Sequence, residues 1–220
     1  MKLRAVLFDH DGTLVNSEPL HFELWAKILK EGYGFSLTEE HYRLHYAGVP
    51  ACANAIDLVE RFGIKEEPWR LAHAKNIATD EYLTHAAFPL MKGVQDSVEA
   101  VHGLGLQLAV VTGASASGVR ATFKAYGFDQ QFSLIVSNED VQRSKPAPDC
   151  YLLAMRKLGL SPAECIAIED TQPGLQAAQS AGLRCLVVPS EMSKHQDFRH
   201  ATAVCNEMSE AIDLVRNLDT

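Results

Sequence analysis

Apolar positions along the 220-residue chain follow two rhythms. Short runs rich in β-branched residues occur at LRAVLF before Asp9, LQLAVVT before Gly113, SLIVS before Asn138, CIAIE before Asp170 and LRCLVV before Pro189, each ending in a polar or glycine-containing turn. Runs this short, without strict alternation, predict strands buried on both faces, as in a parallel sheet. Between them apolar residues recur at helical spacing over 94–104, 119–126 and 148–158, and the last two stretches stop at Gly127 and Gly159. Strands alternating with helices predict a doubly wound α/β fold.

Residues 18–88 break that rhythm and read as helices. PLHFELWAKILKE stops at Gly32, a second stretch opens at Thr38 with Glu39 and Glu40 behind it, ACANAIDLVERF stops at Gly63, and PWRLAHAKNIATDEYL follows. A helical block after the first strand is read as an inserted small α-helical cap domain over 16–89. The α/β core domain is then discontinuous, made of 1–15 and 90–220. Trp25, Trp69, Phe22 and Phe62 are expected to form the core of the cap. No internal repeat or low-complexity tract interrupts either part.

Composition narrows the class without naming it. The chain is 47% hydrophobic and 22% charged, ordinary for a globular protein, and its net charge of -8 disfavours a nucleic-acid partner. Five scattered cysteines with no C-x-x-C pair fit neither a disulfide frame nor a zinc knuckle. The N-terminal apolar run meets two acids too soon for a secretory signal, and no run reaches the ~18 apolar residues of a membrane span. The expectation is a soluble cytoplasmic protein with reduced thiols, no membrane partner, and a monomer or small homo-oligomer.

Ligands of open α/β sheets bind beyond the carboxyl ends of the strands. The residues there form a set: Asp9 and Asp11 after the first run, Thr112 and Gly113 after the second, Lys145 in SKPAPD, and Glu169 and Asp170 after the fourth. Several carboxylates with one lysine and one hydroxyl suit a hard cation such as magnesium together with a phosphoryl group. On extended backbone, residues two apart share a face roughly 6.5 to 7 Å apart, so Asp9 and Asp11 can address one substrate. His10 between them is then expected to point to the other side and to pack or contact a neighbouring loop, not to ligate a metal. Gly12 and Thr13 suggest a tight turn whose backbone N–H groups approach an anion. An EF-hand does not fit, because Leu14 and Leu20 fall where its glycine and bidentate glutamate are needed.

DHDGTLVNSE, VVTG, SKPAPD and AIEDTQPG stand in the order of the four motifs of haloacid dehalogenase-like phosphotransferases. The chain resembles that superfamily, and its helical insert and the KPAPD and ED-plus-glycine forms most resemble the β-phosphoglucomutase and phosphoglycolate-phosphatase branch. The resemblance implies a Rossmann-like core, Mg²⁺ as cofactor and a small phosphorylated metabolite as substrate. It also implies that Asp9 is the nucleophile that becomes an aspartyl-phosphate and Asp11 the acid/base. Thr112 and the Gly113 N–H would bind phosphoryl oxygens, and Lys145 would neutralise charge on the transferring group. Asp170, the Asp9 carboxylate and the Asp11 carbonyl would hold the metal, with Glu169 as a ligand or beside one. In the cap, His21 and Lys75 fall where the branch places substrate-contacting or acid/base-assisting residues.

Two departures favour hydrolysis over mutase chemistry. Where mutases of the branch carry an arginine after Gly48 and Val49, this chain reads Pro50, Ala51, Cys52; after VVTG it reads Ala114, Ser115, Ala116, again without a cation. A bisphosphorylated intermediate needs such cations. The expectation is a Mg²⁺-dependent phosphatase acting on a sugar phosphate or phosphoglycolate. A β-phosphoglucomutase-like phosphotransferase and a phospho-accepting receiver-like module are the alternatives. A hydrolytic dehalogenase is disfavoured, having no use for a second acid at Asp11.

Overall fold

In the computed structural model, which describes residues 2–219, six parallel strands form one sheet in the order β3-β2-β1-β4-β5-β6. They are β1 (Ala5–Phe8), β2 (Gln107–Val111), β3 (Phe132–Val136), β4 (Cys165–Glu169), β5 (Arg184–Val187) and β6 (Ala203–Val204). The five apolar runs supply the first five strands. The two-residue β6 has too little pattern to be read in advance.

The strands alternate between two cores. Val6 and Phe8 of β1, with Leu108, Val110, Ile166 and Ile168, pack against α5 (Val94–Gly103), α6 (Ala116–Tyr126) and α9 (Met208–Asp219). Ala5 and Leu7, with Ala109, Val111 and Ala167, face α7 (Asp149–Leu158) and α8 (Gln172–Ser180). Alanines on that second face leave room for helices carrying Tyr151 and Met155 to approach closely. Both faces being covered explains the near-continuous apolar runs.

Between β1 and α5 the chain forms α1 (Glu18–Tyr33), α2 (Glu39–His45), α3 (Ala51–Phe62) and α4 (Pro68–His85). They enclose a cluster of their own around Trp25, Leu29, Tyr42, Tyr46, Leu58 and Leu71. The block joins the sheet through two adjacent segments: Asn16 N–H donates to Pro89 O at 2.8 Å and Met91 N–H to Leu14 O at 2.9 Å. Two details differ from the sequence reading. α1 runs through Gly32 to Tyr33, because Gly34, at φ 76°, takes the left-handed cap and donates to Leu29 O and Lys30 O. Trp69 is 60% exposed, with the Arg70 guanidinium over its ring, since it lies on the outward face of the first turn of α4; Trp25 is buried, and Phe22 and Phe62 are partly buried.

No helix among the described residues is long and apolar enough to cross a membrane. All five cysteines are unpaired, four of them buried.

Candidate active site

The carboxyl ends of β1, β2 and β4 meet at the middle of the sheet, where the strand order reverses. There a cavity of about 470 Å³ opens between the sheet and the helical block. Asp9, Asp11, Thr112, Gly113, Lys145 and Asp170 line it from the sheet side, and Glu18, His21 and Lys75 from the helical side.

Asp9 follows β1 directly, and its N–H donates to Ile168 O at 2.9 Å, so ladder bonding still fixes its backbone. Beyond it the chain folds back on itself. The His10 carbonyl accepts from Leu14 and Val15 N–H, and Gly12 N–H donates to Val15 O at 2.8 Å. Gly12 therefore departs from the expectation of an anion-cradling N–H: that donor is spent inside the turn, and the residue does not line the cavity. Its φ of 83° makes the turn, and a Cβ there would collide with the Asp170 carboxylate.

Lys145, 9% exposed, holds the acids together. Its ammonium donates to Asp9 Oδ1 at 2.5 Å, to Glu169 Oε1 at 2.6 Å and to Val111 O at 2.7 Å, and it lies 5.1 Å from the Tyr151 ring centre. Tyr151 OH donates to the same Glu169 Oε1 at 2.5 Å. Ser190 Oγ donates to Asp170 Oδ2 at 3.3 Å.

Asp9, Glu169 and Asp170 bring one carboxylate oxygen each within 4.8 Å of one another. Burial, only partly offset by Lys145, pushes all three carboxyls above their ordinary range, and at Lys145 burial opposes the strong pull of Asp9 and Glu169 that raises its pKa. Three buried acids face one ammonium. Two of their oxygens, Glu169 Oε2 and Asp170 Oδ1, are buried without any hydrogen-bond partner. Orphaned, hard oxygen donors around an excess of negative charge fit a divalent cation of the magnesium type. The Asp11 carboxylate is outside this group of three.

Asp11 is held by imidazoles instead. Its Oδ2 lies 3.3 Å from His10 Nδ1 and accepts from Thr112 Oγ1 at 3.5 Å, and its Oδ1 lies 3.8 Å from His21 Nε2. Burial works against its charge, but His10 and His21 outweigh burial and hold the carboxyl well below its usual range. His10 is packed as expected, 1% exposed, but it is not turned away from the acids. It contacts a helix, with Nε2 3.0 Å from Thr122 Oγ1 of α6, and reaches back to Asp11 as well. Strict alternation ends with β1 at Phe8, so the ring is free to lie alongside the following acid.

Thr112, 1% exposed, also accepts from Ala114 N–H at 3.0 Å, and the Gly113 carbonyl accepts from Ser144 Oγ at 3.3 Å. Lys75 is 8% exposed and its ammonium bonds to no described residue; burial lowers its pKa against the attraction of Asp11, Glu18 and Asp80. The sequence reading missed Glu18, whose carboxylate accepts from Tyr42 OH at 2.5 Å and Gly48 N–H at 3.1 Å on the cavity wall. An acid at a helix start reads as a dipole partner, so only its burial distinguishes it.

Residues 6–188 match the haloacid dehalogenase-like hydrolase family. The chain is 32% identical over 209 residues to protein CbbY of Rhodobacter capsulatus, covering 91% of this chain and 92% of that one. It is 31% identical over 187 residues to the fructose-1-phosphate phosphatase YqaB of Escherichia coli, covering 81% and 93%. A crystal structure of a CbbY mutant from Rhodobacter sphaeroides in complex with xylulose-1,5-bisphosphate superimposes with a TM-score of 0.82 at 27% identity, covering 94% of this chain and 96% of that one.

Proposed function

The chain belongs to the haloacid dehalogenase-like hydrolase family, in its β-phosphoglucomutase and phosphoglycolate-phosphatase-like branch, and from that premise we propose a Mg²⁺-dependent phosphatase that hydrolyses a sugar monophosphate through an aspartyl-phosphate on Asp9. One observation carries the reading. Asp9 and Asp11 open onto the same cavity but are held by different partners, an ammonium on Asp9 and two histidine rings on Asp11.

The Asp9 carboxylate attacks phosphorus through the oxygen that Lys145 does not hold, and the bond from phosphorus to the sugar oxygen breaks. Asp11 gives its proton to that leaving oxygen. An arriving phosphoryl dianion repels the Asp11 carboxylate and so moves it toward its acid form. Water then attacks the aspartyl-phosphate while Asp11 takes a proton back, and inorganic phosphate leaves. Lys145 steadies the charge shared by Asp9 and the transferring group, and Thr112 is placed to donate to a phosphoryl oxygen. Asp9, Asp170, the Asp11 carbonyl and Glu169 would hold Mg²⁺, which would supply charge neutralisation between anionic nucleophile and anionic phosphate.

The helical block over 16–89 serves as a cap that reads the rest of the substrate, with His21 and Lys75 on its inner wall. A monophosphate suits that wall better than a bisphosphate. Beyond Lys145, Lys75 is its only lysine or arginine among the described residues, while Glu18, Asp80 and Glu139 line it as acids and Asn76, Asn138 and Ser115 offer partners for hydroxyls. Phosphate release from hexose monophosphates, hexose bisphosphates and phosphoglycolate, with Mg²⁺ and with a chelator, tests the proposal. Repeated turnover of a hexose monophosphate that stops with the chelator supports it; release that stops at one phosphate per chain, or that ignores the chelator, overturns it.

A further inference from the structure

His10 occupies a slot made for an imidazole. The ring is 1% exposed and lies against α6, where Gly118 and Thr122, one turn apart, leave room for it. A Cβ at Gly118 would stand 3.4 Å from His10 Cε1 and 3.2 Å from Phe88, tight on both sides. The Phe88 ring lies beside it, its centre 6.4 Å from that of His10. The backbone is pinned too, because the His10 carbonyl takes two N–H donors from the turn.

The hydrogen bonds fix which edge does what. Thr122 has one hydroxyl proton and donates it to Gly118 O at 3.0 Å, so toward His10 it can only accept, and Nε2 carries a hydrogen. A carboxylate oxygen only accepts, so to grip Asp11 Oδ2, 3.3 Å away, Nδ1 must carry a hydrogen as well, the ring then being an imidazolium. Asp11 is thus gripped by His10 through Oδ2, which Thr112 Oγ1 also reaches until it turns its one hydroxyl proton to a phosphoryl oxygen, and Oδ1 is left on the His21 side of the cavity.

We propose that His10 is a positioning residue for Asp11: seated between Gly118, Thr122 and Phe88, it grips Oδ2 and turns Oδ1 toward the leaving oxygen of the substrate. The inference rests on the acid/base role given to Asp11 above and assigns the aiming of that acid to a residue that itself touches no substrate. The sheet side of the site thereby gains a second use for α6, whose residues at this point form a rigid wall behind the acid.

The consequence is selective. A badly aimed acid harms a substrate whose leaving group must be protonated and spares one whose leaving group departs as a stable anion. The measurement is kcat/KM, which reports the steps up to loss of the leaving group, for a hexose monophosphate and for p-nitrophenyl phosphate. His10→Leu is expected to lose about 10- to 100-fold on the sugar phosphate and no more than about threefold on the aryl phosphate. His10→Asn, which can place an amide donor near the Nδ1 position, recovers most of the loss. Thr122→Val, close in shape but unable to accept from Nε2, shows the same selectivity at a few-fold, and serves should the leucine variant not fold. Asp11→Asn in parallel separates the two claims. A selective loss in Asp11→Asn with equal losses on both substrates in the His10 and Thr122 variants overturns the role of His10 alone; no selective loss in Asp11→Asn overturns the acid/base reading and this inference with it.

Discussion

Lys145 illustrates how one side chain sets the state of a whole site. It is the cation in direct contact with Asp9 and Glu169, and both are at least nine-tenths buried. Removing one member of a buried ionic group leaves the others uncompensated, at a cost of about 3–5 kcal/mol. Lys145→Met should therefore unfold at markedly lower urea in the presence of a chelator, and its phosphate release should fall by at least 10²-fold. A stability loss under about 1 kcal/mol would show that the acids do not depend on it. At this scale the sequence was a good guide where chemistry sits at strand ends. Asp9, Asp11, Thr112, Lys145 and Asp170 are brought to one cavity because each follows or faces a strand terminus. It foretold a packed His10 ring but not its contact with Asp11, and it was a poor guide to Gly12 and Glu18, whose environments depend on a turn closing on itself and a tyrosine 24 residues away.

Helices carry the second level of control. α4 of the helical block and α6 beside the sheet meet through Asp80, whose Oδ1 accepts from Ser117 Oγ at 3.0 Å, and Ser117 is in turn 3.1 Å from Ser115 Oγ. The link spans the mouth of the cavity and is exposed, so it contributes well under about 1 kcal/mol to folding. Its effect is expected in substrate binding instead. Asp80→Ala should leave the melting temperature within a degree or two and raise KM for the sugar phosphate several-fold, measured by initial rates over a substrate range; an unchanged KM would remove Asp80 from that role. Helix ends at Gly63, Gly127 and Gly159 were legible because each glycine adopts the left-handed cap. The end of α1 was misplaced because Gly32 has free space around it and is tolerated within the helix. α8 went unread because small residues dominate it, while α9 carries Met208, Ala211, Ile212 and Val215 at helical spacing, a signal that was present.

At the scale of the whole molecule, the two parts of the chain face a common pool of negative charge. Asp9, Glu169 and Asp170 crowd together with two orphaned oxygens, so the folded chain should bind a divalent cation that the unfolded chain does not. Mg²⁺ at a hundred times its dissociation constant should add about 2.7 kcal/mol, seen as a rise in melting temperature. Asp170→Asn should abolish most of that rise; an equal rise in the variant would place the cation elsewhere. A phosphoryl group taken by Asp9 itself makes turnover depend on that carboxylate, and the measurement is the wild-type and Asp9→Asn initial rates of phosphate release from a hexose monophosphate at saturating Mg²⁺. A loss of roughly 10⁴-fold or more is expected in the variant. Equal turnover by the two proteins would contradict it.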